Sequence, residues 1–186
     1  MNYLKPQLQI KNNNPATKEV IHYKNALWFG VEKIKKRPLL RTNLFISIMR
    51  IIKENESGIR NALGTQLKNP AINKVIYTPP EGENVIKEKL KNLEDFIHAD
   101  DDLDSLIKMA IIHYQFEAIH PFFDGNGRTW RIIILLYLQF TELMDLPALY
   151  LSSYIIEYKN DYDTNLRKET EEGNWEDWIL YRLDMV

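Results

Sequence analysis

The chain has 186 residues, 45% of them hydrophobic and 27% charged, with a net charge of −2 and no cysteine. That is enough for one domain with a sizeable core; disulfide staples and thiolate metal sites are excluded, and no general charge attraction draws it to nucleic acid. The opening stretch lacks an apolar signal region and the longest apolar run, Ile132 to Leu138, is far too short to span a bilayer, so a cytoplasmic protein without membrane or nucleic-acid partners is expected.

Residues 1–15 hold three consecutive asparagines and two prolines and are expected to form a flexible arm, with residues 16–186 a single domain. Thr17 to Phe29 is expected as the first helix, interrupted by Gly30, and Pro38 precedes a second helical stretch. Trp28 and Phe29 are compatible with core packing or with a homo-oligomer interface. The cluster Lys33, Lys35, Lys36, Arg37 has the character of a solvated helix end. Thr42 to Lys53 is apolar on one side through Leu44, Phe45, Ile48, Ile51 and Ile52, with Thr42 or Asn43 as a candidate N-cap.

Ser57 to Pro80 changes character: glycines, asparagines and prolines break it up, and the β-prone Val75-Ile76-Tyr77 precedes a double proline. A short hairpin fits better than helix there. Helical spacing returns over Asn84 to His98. Asp100, Asp101, Asp102 and Asp104 then precede an apolar helix, where carboxylates cap and complement its dipole. Leu103 to Ile119 and Asn126 to Leu143 are apolar on much of their circumference, which makes them the expected central pair. Ser152 to Arg167 and Asn174 to Leu183 would close an all-α bundle carrying one hairpin. His113 has no third metal ligand at a sensible spacing and is expected as a hydrogen-bonded core residue. His22 and His98 have no companions and are expected at the surface.

The run His120-Pro121-Phe122-Phe123-Asp124-Gly125-Asn126-Gly127-Arg128-Thr129-Trp130-Arg131 is the one stretch that reads as chemistry. Pro121 ends the preceding helix near His120. Gly125 and Gly127 permit a turn whose N–H groups converge on an anion, and a helix starting near Asn126 adds its positive end. Arg128 and Arg131, three apart, share one helix face and present forks suited to phosphate. Asp124 could hold Mg²⁺ with phosphate and water completing the shell, and His120 could accept a proton from a hydroxyl. Singly, each residue has an ordinary reading as a loop or surface position. In combination they point to phosphoryl or nucleotidyl chemistry on a metal-bound polyphosphate.

The run resembles the Fic signature HPFx(D/E)GNGRxxR, with every specified position filled. Leu103 to Ile119, with its His113-Tyr114-Gln115-Phe116-Glu117-Ala118-Ile119 segment, resembles the helix leading into that motif. Val75 to Pro80 resembles the family's flap hairpin, and Arg60, Gly64 and Thr65 fall in the segment leading to it. Leu151 to Tyr154 and Trp175 to Leu183 resemble the closing helices, so the likeness covers roughly residues 40 to 183.

The resemblance implies a Fic-type helical bundle that transfers AMP from ATP to a Ser, Thr or Tyr hydroxyl of a protein. His120 would be the base and Asp124 the Mg²⁺ ligand. Gly125, Asn126, Gly127, Arg128 and Arg131 would hold the phosphates, and Val75, Ile76, Tyr77 and Thr78 would offer a strand edge to the target. Transfer of UMP, phosphocholine or phosphate on the same scaffold is the alternative, as is a nucleotide-binding or interaction module without turnover. Two departures stand out. Trp130 occupies a position where the family often has Gly, and it either packs harmlessly or presses on the pocket. No (S/T)xxxE(G/N) helix is evident to restrain Arg131, so weak or absent self-inhibition is expected.

Overall fold

The computed structural model describes residues 14–69, 74–145 and 157–185. The expected arm lies almost wholly outside these. Seven helices and one two-stranded antiparallel sheet occur among the described residues. They are α1 (Pro15–Lys36), α2 (Thr42–Lys53), β1 (Leu67–Asn69), β2 (Lys74–Tyr77), α3 (Glu83–Ile97), α4 (Ser105–Ile119), α5 (Asn126–Phe140), α6 (Lys159–Glu172) and α7 (Trp175–Leu183). The all-α bundle with a hairpin is therefore the architecture, while Ser152 to Ile156 of the expected sixth helix lie outside the described residues.

Helix α1 runs unbroken through Gly30. The Asn14 side chain caps it by accepting from the Ala16 N–H at 3.0 Å, and Pro15 sits at its start, where a missing N–H costs nothing. Gly30 is there because α5 comes close: a Cβ at this position would lie 2.6 Å from Leu136 Cδ1. The expected interruption is thus a helix–helix contact, and the basic cluster at Lys33 to Lys36 forms the helix's last turn.

Neither Thr42 nor Asn43 caps α2 with its side chain. The Thr42 N–H instead donates to Glu94 of α3 at 2.7 Å, a cap borrowed from another element that no local pattern encodes. Asp104 caps α4 through the Leu106 and Ile107 N–H groups. Asp101 and the Ala99 carbonyl receive the buried Lys108 ammonium at 3.0 and 2.8 Å. His98, expected at the surface, is partly buried: its Nε2 lies 3.1 Å from the Leu40 carbonyl, and its ring meets Phe140 edge-on.

The core lies around α4 and α5. Helix α5 is buried over Ile132 to Leu138 without interruption, packed against α1, α2 and α4. Phe122 from the loop between α4 and α5 sits in the same core, its ring tilted against that of Phe116. A second cluster joins Ala110 and Tyr114 of α4 to Trp178 of α7 and to Tyr162 and Leu166 of α6. Its anchor is the indole of Trp178, which donates to the Ala110 carbonyl at 2.8 Å.

Candidate active site

The motif loop links the two central helices, so its shape is set by the core. Helix α4 ends at His120, which adopts the left-handed conformation (φ 47°). The next turn is closed by Asn126, whose Oδ1 accepts from the Phe122 N–H at 3.0 Å and whose Nδ2 donates to the Phe122 carbonyl at 2.8 Å. Both ends of the Asn126 amide are thus engaged in holding the loop. Gly125 caps α5 at φ 85° with no side-chain cap on the helix's first N–H groups. A Cβ there would lie 3.2 Å from Lys53 Cγ, so close packing adds to the conformational demand for glycine.

The charged groups gather at this open helix start. The Asp124 carboxylate pairs with the Lys53 ammonium, from the end of α2, and lies 3.9 Å from Arg128. The Lys53 hydrogen bond, with help from the Gly125 N–H, holds Asp124 below the ordinary carboxylate range. Arg128 donates to Glu19 of α1 at 2.6 Å. Arg131 Nε donates to the Gly127 carbonyl at 2.8 Å, and its guanidinium would touch a Cβ at Gly127. Arg128 thus reaches across to α1 while Arg131 folds back on the first turn of α5. Sequence reasoning does not find Glu19 and Lys53, because each lies far from the motif on an otherwise ordinary helix.

His120 is mostly buried behind this turn. Burial first, and the Arg60 guanidinium second, push its imidazole down to about 4, so it is neutral and able to take a proton near pH 7. Arg60 is itself completely buried. It donates to the carbonyls of His120 (2.7 Å), Pro80 (2.6 Å) and Ile119 (3.3 Å), while its main-chain N–H reaches the Pro121 carbonyl at 2.9 Å. The hairpin stands beside this clamp. In it Lys68 pairs with Val75 and Leu67 with Tyr77, and the Tyr77 hydroxyl donates to the Ala118 carbonyl at 2.9 Å. Val75 is exposed, and Thr78 lies just past the strand, also exposed.

Trp130 is buried, stacked on His113 with ring centroids 3.6 Å apart, with the Arg182 guanidinium 5.0 Å from its ring centre. Its indole reaches the Glu117 carboxyl and would lie 3.9 Å from a Cβ at Gly127, so it packs directly behind the loop. His113 Nε2 lies 3.2 Å from the Tyr162 hydroxyl, in keeping with its expected core role. Phe123, by contrast, is 61% exposed at the mouth of the site.

A cavity of about 180 Å³ opens between the hairpin, α4 and α6. Leu67, Tyr77, Tyr114, Ala118, Tyr162 and Leu166 line it, with the Glu117 carboxyl at its inner wall. It is smaller than the roughly 300–1,000 Å³ of a whole ligand pocket, so it suits one part of a larger ligand. Tyr162 and Leu166, four apart on α6, carry the helical spacing that marks such a wall, but the same spacing marks ordinary packing. Among the described residues no three His, Cys, Asp or Glu side chains gather as a metal cage. A single exposed carboxylate beside an uncapped helix start is a donor set compatible with Mg²⁺, which takes one or two carboxylates and completes its shell with phosphate and water.

Fold and loop define a helical bundle whose central helix pair presents an uncapped, arginine-flanked turn beside a hairpin. The sequence matches the Fic/DOC family over residues 39–138, and the chain belongs to that family. Protein adenylyltransferase fic-1 of Caenorhabditis elegans is 40% identical over 60 residues, a stretch covering 31% of this chain and 12% of that protein. Probable protein adenylyltransferase aq_aa38 of Aquifex aeolicus is 34% identical over 58 residues, covering 31% and 18%. Among solved structures, a Fic family protein of Desulfovibrio desulfuricans superposes with a TM-score of 0.69 at 20% identity, over 94% of this chain and 52% of that one. The BepC effector of Bartonella tribocorum, solved with bound AMPPNP, gives 0.52 at 16% identity over 100% and 92%. The chain thus spans about half of the first of these structures and a small part of the curated relatives. No helix among the described residues is long and apolar enough to cross a membrane.

Proposed function

We propose that the protein is an adenylyltransferase that moves AMP from ATP to a hydroxyl of a target protein. The observation that carries this reading is the neutral, buried His120 set directly behind an uncapped helix start flanked by Arg128 and Arg131. A base, an anion hole and two guanidinium forks within one turn are what displacement at a phosphoryl centre requires. The names of the curated relatives support it, as does the AMPPNP held by one structural relative.

In this reading His120 takes the proton of the target hydroxyl as its oxygen attacks the α-phosphorus. The main-chain N–H groups of Gly125, Asn126 and Gly127 meet the charge that builds on the phosphoryl oxygens. Arg128 and Arg131 hold the β- and γ-phosphates, which leave as pyrophosphate. Asp124 would hold Mg²⁺, which would supply positive charge to offset that of the phosphates. The cavity against Tyr162 and Leu166 offers the nucleobase an apolar slot. Val75, Ile76, Tyr77 and Thr78 would offer the target a strand edge, where main-chain pairing gives affinity with little sequence preference.

The test is incubation with labelled ATP, UTP, GTP and CDP-choline in the presence of Mg²⁺, followed by mass spectrometry of the protein and of added targets. An AMP adduct from ATP is expected, and His120→Ala should reduce transfer by at least ~100-fold with an unchanged circular dichroism spectrum. A UMP or phosphocholine adduct would reassign the donor, and nucleotide binding without any adduct would make the chain a binding module.

A further inference from the structure

Two neighbouring side chains behind the motif loop each carry a buried polar atom without a hydrogen-bond partner. His120 Nδ1 makes no hydrogen bond, and neither does Glu117 Oε1. The other oxygen of that carboxylate, Oε2, stands 3.9 Å from the same Nδ1. The proximity follows from the backbone: Glu117 occupies the last turn of α4, and the left-handed turn at His120 folds the imidazole back beside it. Leaving a buried donor and a buried acceptor unused is costly, and native structures rarely tolerate it without a purpose.

We propose that Glu117 is the positioning residue of the site: its carboxylate holds the proton on His120 Nδ1, which leaves Nε2 as the atom that accepts the target's proton. The inference rests on the transfer reading. As the O–P bond forms and the bond to pyrophosphate breaks with its electron pair, the hydroxyl proton passes to Nε2. The resulting imidazolium then donates its Nδ1–H to Glu117, and the 3.9 Å gap closes as the pair becomes oppositely charged. Without that carboxylate, the new cation would face only the Arg60 guanidinium, which opposes it.

The surroundings of Glu117 fit this role. Burial pushes its carboxyl up to about 7, while Arg131 and the Trp130 indole from α5 and Arg182 from α7 all favour the ionised form. The carboxyl is therefore ionised only above about 7, the upper part of the range over which His120 is neutral, and is protonated below it. Arg182 has its Nε and Nη2 without hydrogen-bond partners in the same interior, and Glu117 is among the groups that favour its charge, after Tyr162 and Tyr181.

Two measurements test the pairing. The ring ¹⁵N resonances of wild-type His120, recorded without nucleotide, should report the Nδ1–H tautomer, and Glu117→Gln should abolish that preference. A wild-type Nε2–H tautomer would overturn the proposal regardless of any activity. In transfer assays Glu117→Gln should lower kcat on the order of 100-fold with little change in KM for ATP. It should also erase the fall in kcat/KM below about pH 7. A variant that keeps wild-type kcat and its acid limb would equally overturn the pairing. If the wild type transfers nothing from any nucleotide, the transfer reading fails, while the tautomer still decides on Glu117.

Discussion

At the scale of the residue, the contact that most invites a regulatory reading is Glu19 on Arg128. A carboxylate does meet a motif arginine, but it is the first arginine, and the Glu19 side chain is 56% exposed. Exposed pairs contribute about 0–1 kcal/mol. Glu19→Gln should therefore raise ATP affinity by no more than about fivefold, measured by calorimetric titration. A larger gain would make Glu19 a true brake, against the expectation of weak self-inhibition. The motif residues themselves were legible because their chemistry is concentrated in twelve consecutive positions. Glu19 and Lys53 were not, because only the packing of α1 and α2 on α5 brings them there.

At the scale of the element, helix α1 shows how a local rule is overruled. Gly30 costs about 1 kcal/mol in a helix relative to alanine, which is why it reads as an interruption. Its place against Leu136 reverses the balance, since overpacking a close-packed core costs about 1–3 kcal/mol. Gly30→Ala should consequently lower the melting temperature despite its better helix propensity, and a rise would mean that Leu136 yields freely. The borrowed cap of α2 belongs to the same class, because Glu94 carries no sign in the sequence of where its carboxylate goes. Helices α2, α3, α4 and α7 were legible to within two residues at their starts, since each has an apolar stripe or a capping side chain of its own. The hairpin was legible from Val75 to Tyr77 and the prolines after it.

At the scale of the whole molecule, buried ionisable groups set how stability responds to pH. His113 is held well below its ordinary 6.5 by burial, with Arg182 and Arg131 adding to the effect. The unfolded chain then binds the extra proton, so the His113 contribution is complete above about 6.5 and is lost as pH falls. Glu117 works in the opposite sense. Its folded value near 7 lies above the ordinary 4.5, so its contribution is complete below 4.5 and is lost as pH rises through 7. His113→Phe should flatten the acid side of the profile while keeping the stack on Trp130. Urea unfolding at pH 5, 6 and 7.5 measures this, and an unchanged acid slope would place the sensitivity elsewhere.

The Arg60 clamp has a mechanical consequence. One guanidinium fixes the carbonyl at the base of the hairpin and two carbonyls at the end of α4. A load that displaces β2 reaches the main chain of His120 through a single rigid plane of atoms, with no soft joint between. Hairpin and loop should then fluctuate as one body, so occupancy of one is felt as stiffness in the other. A lysine could not reproduce this, because an ammonium on a flexible stem lacks the fork that braces three acceptors at once.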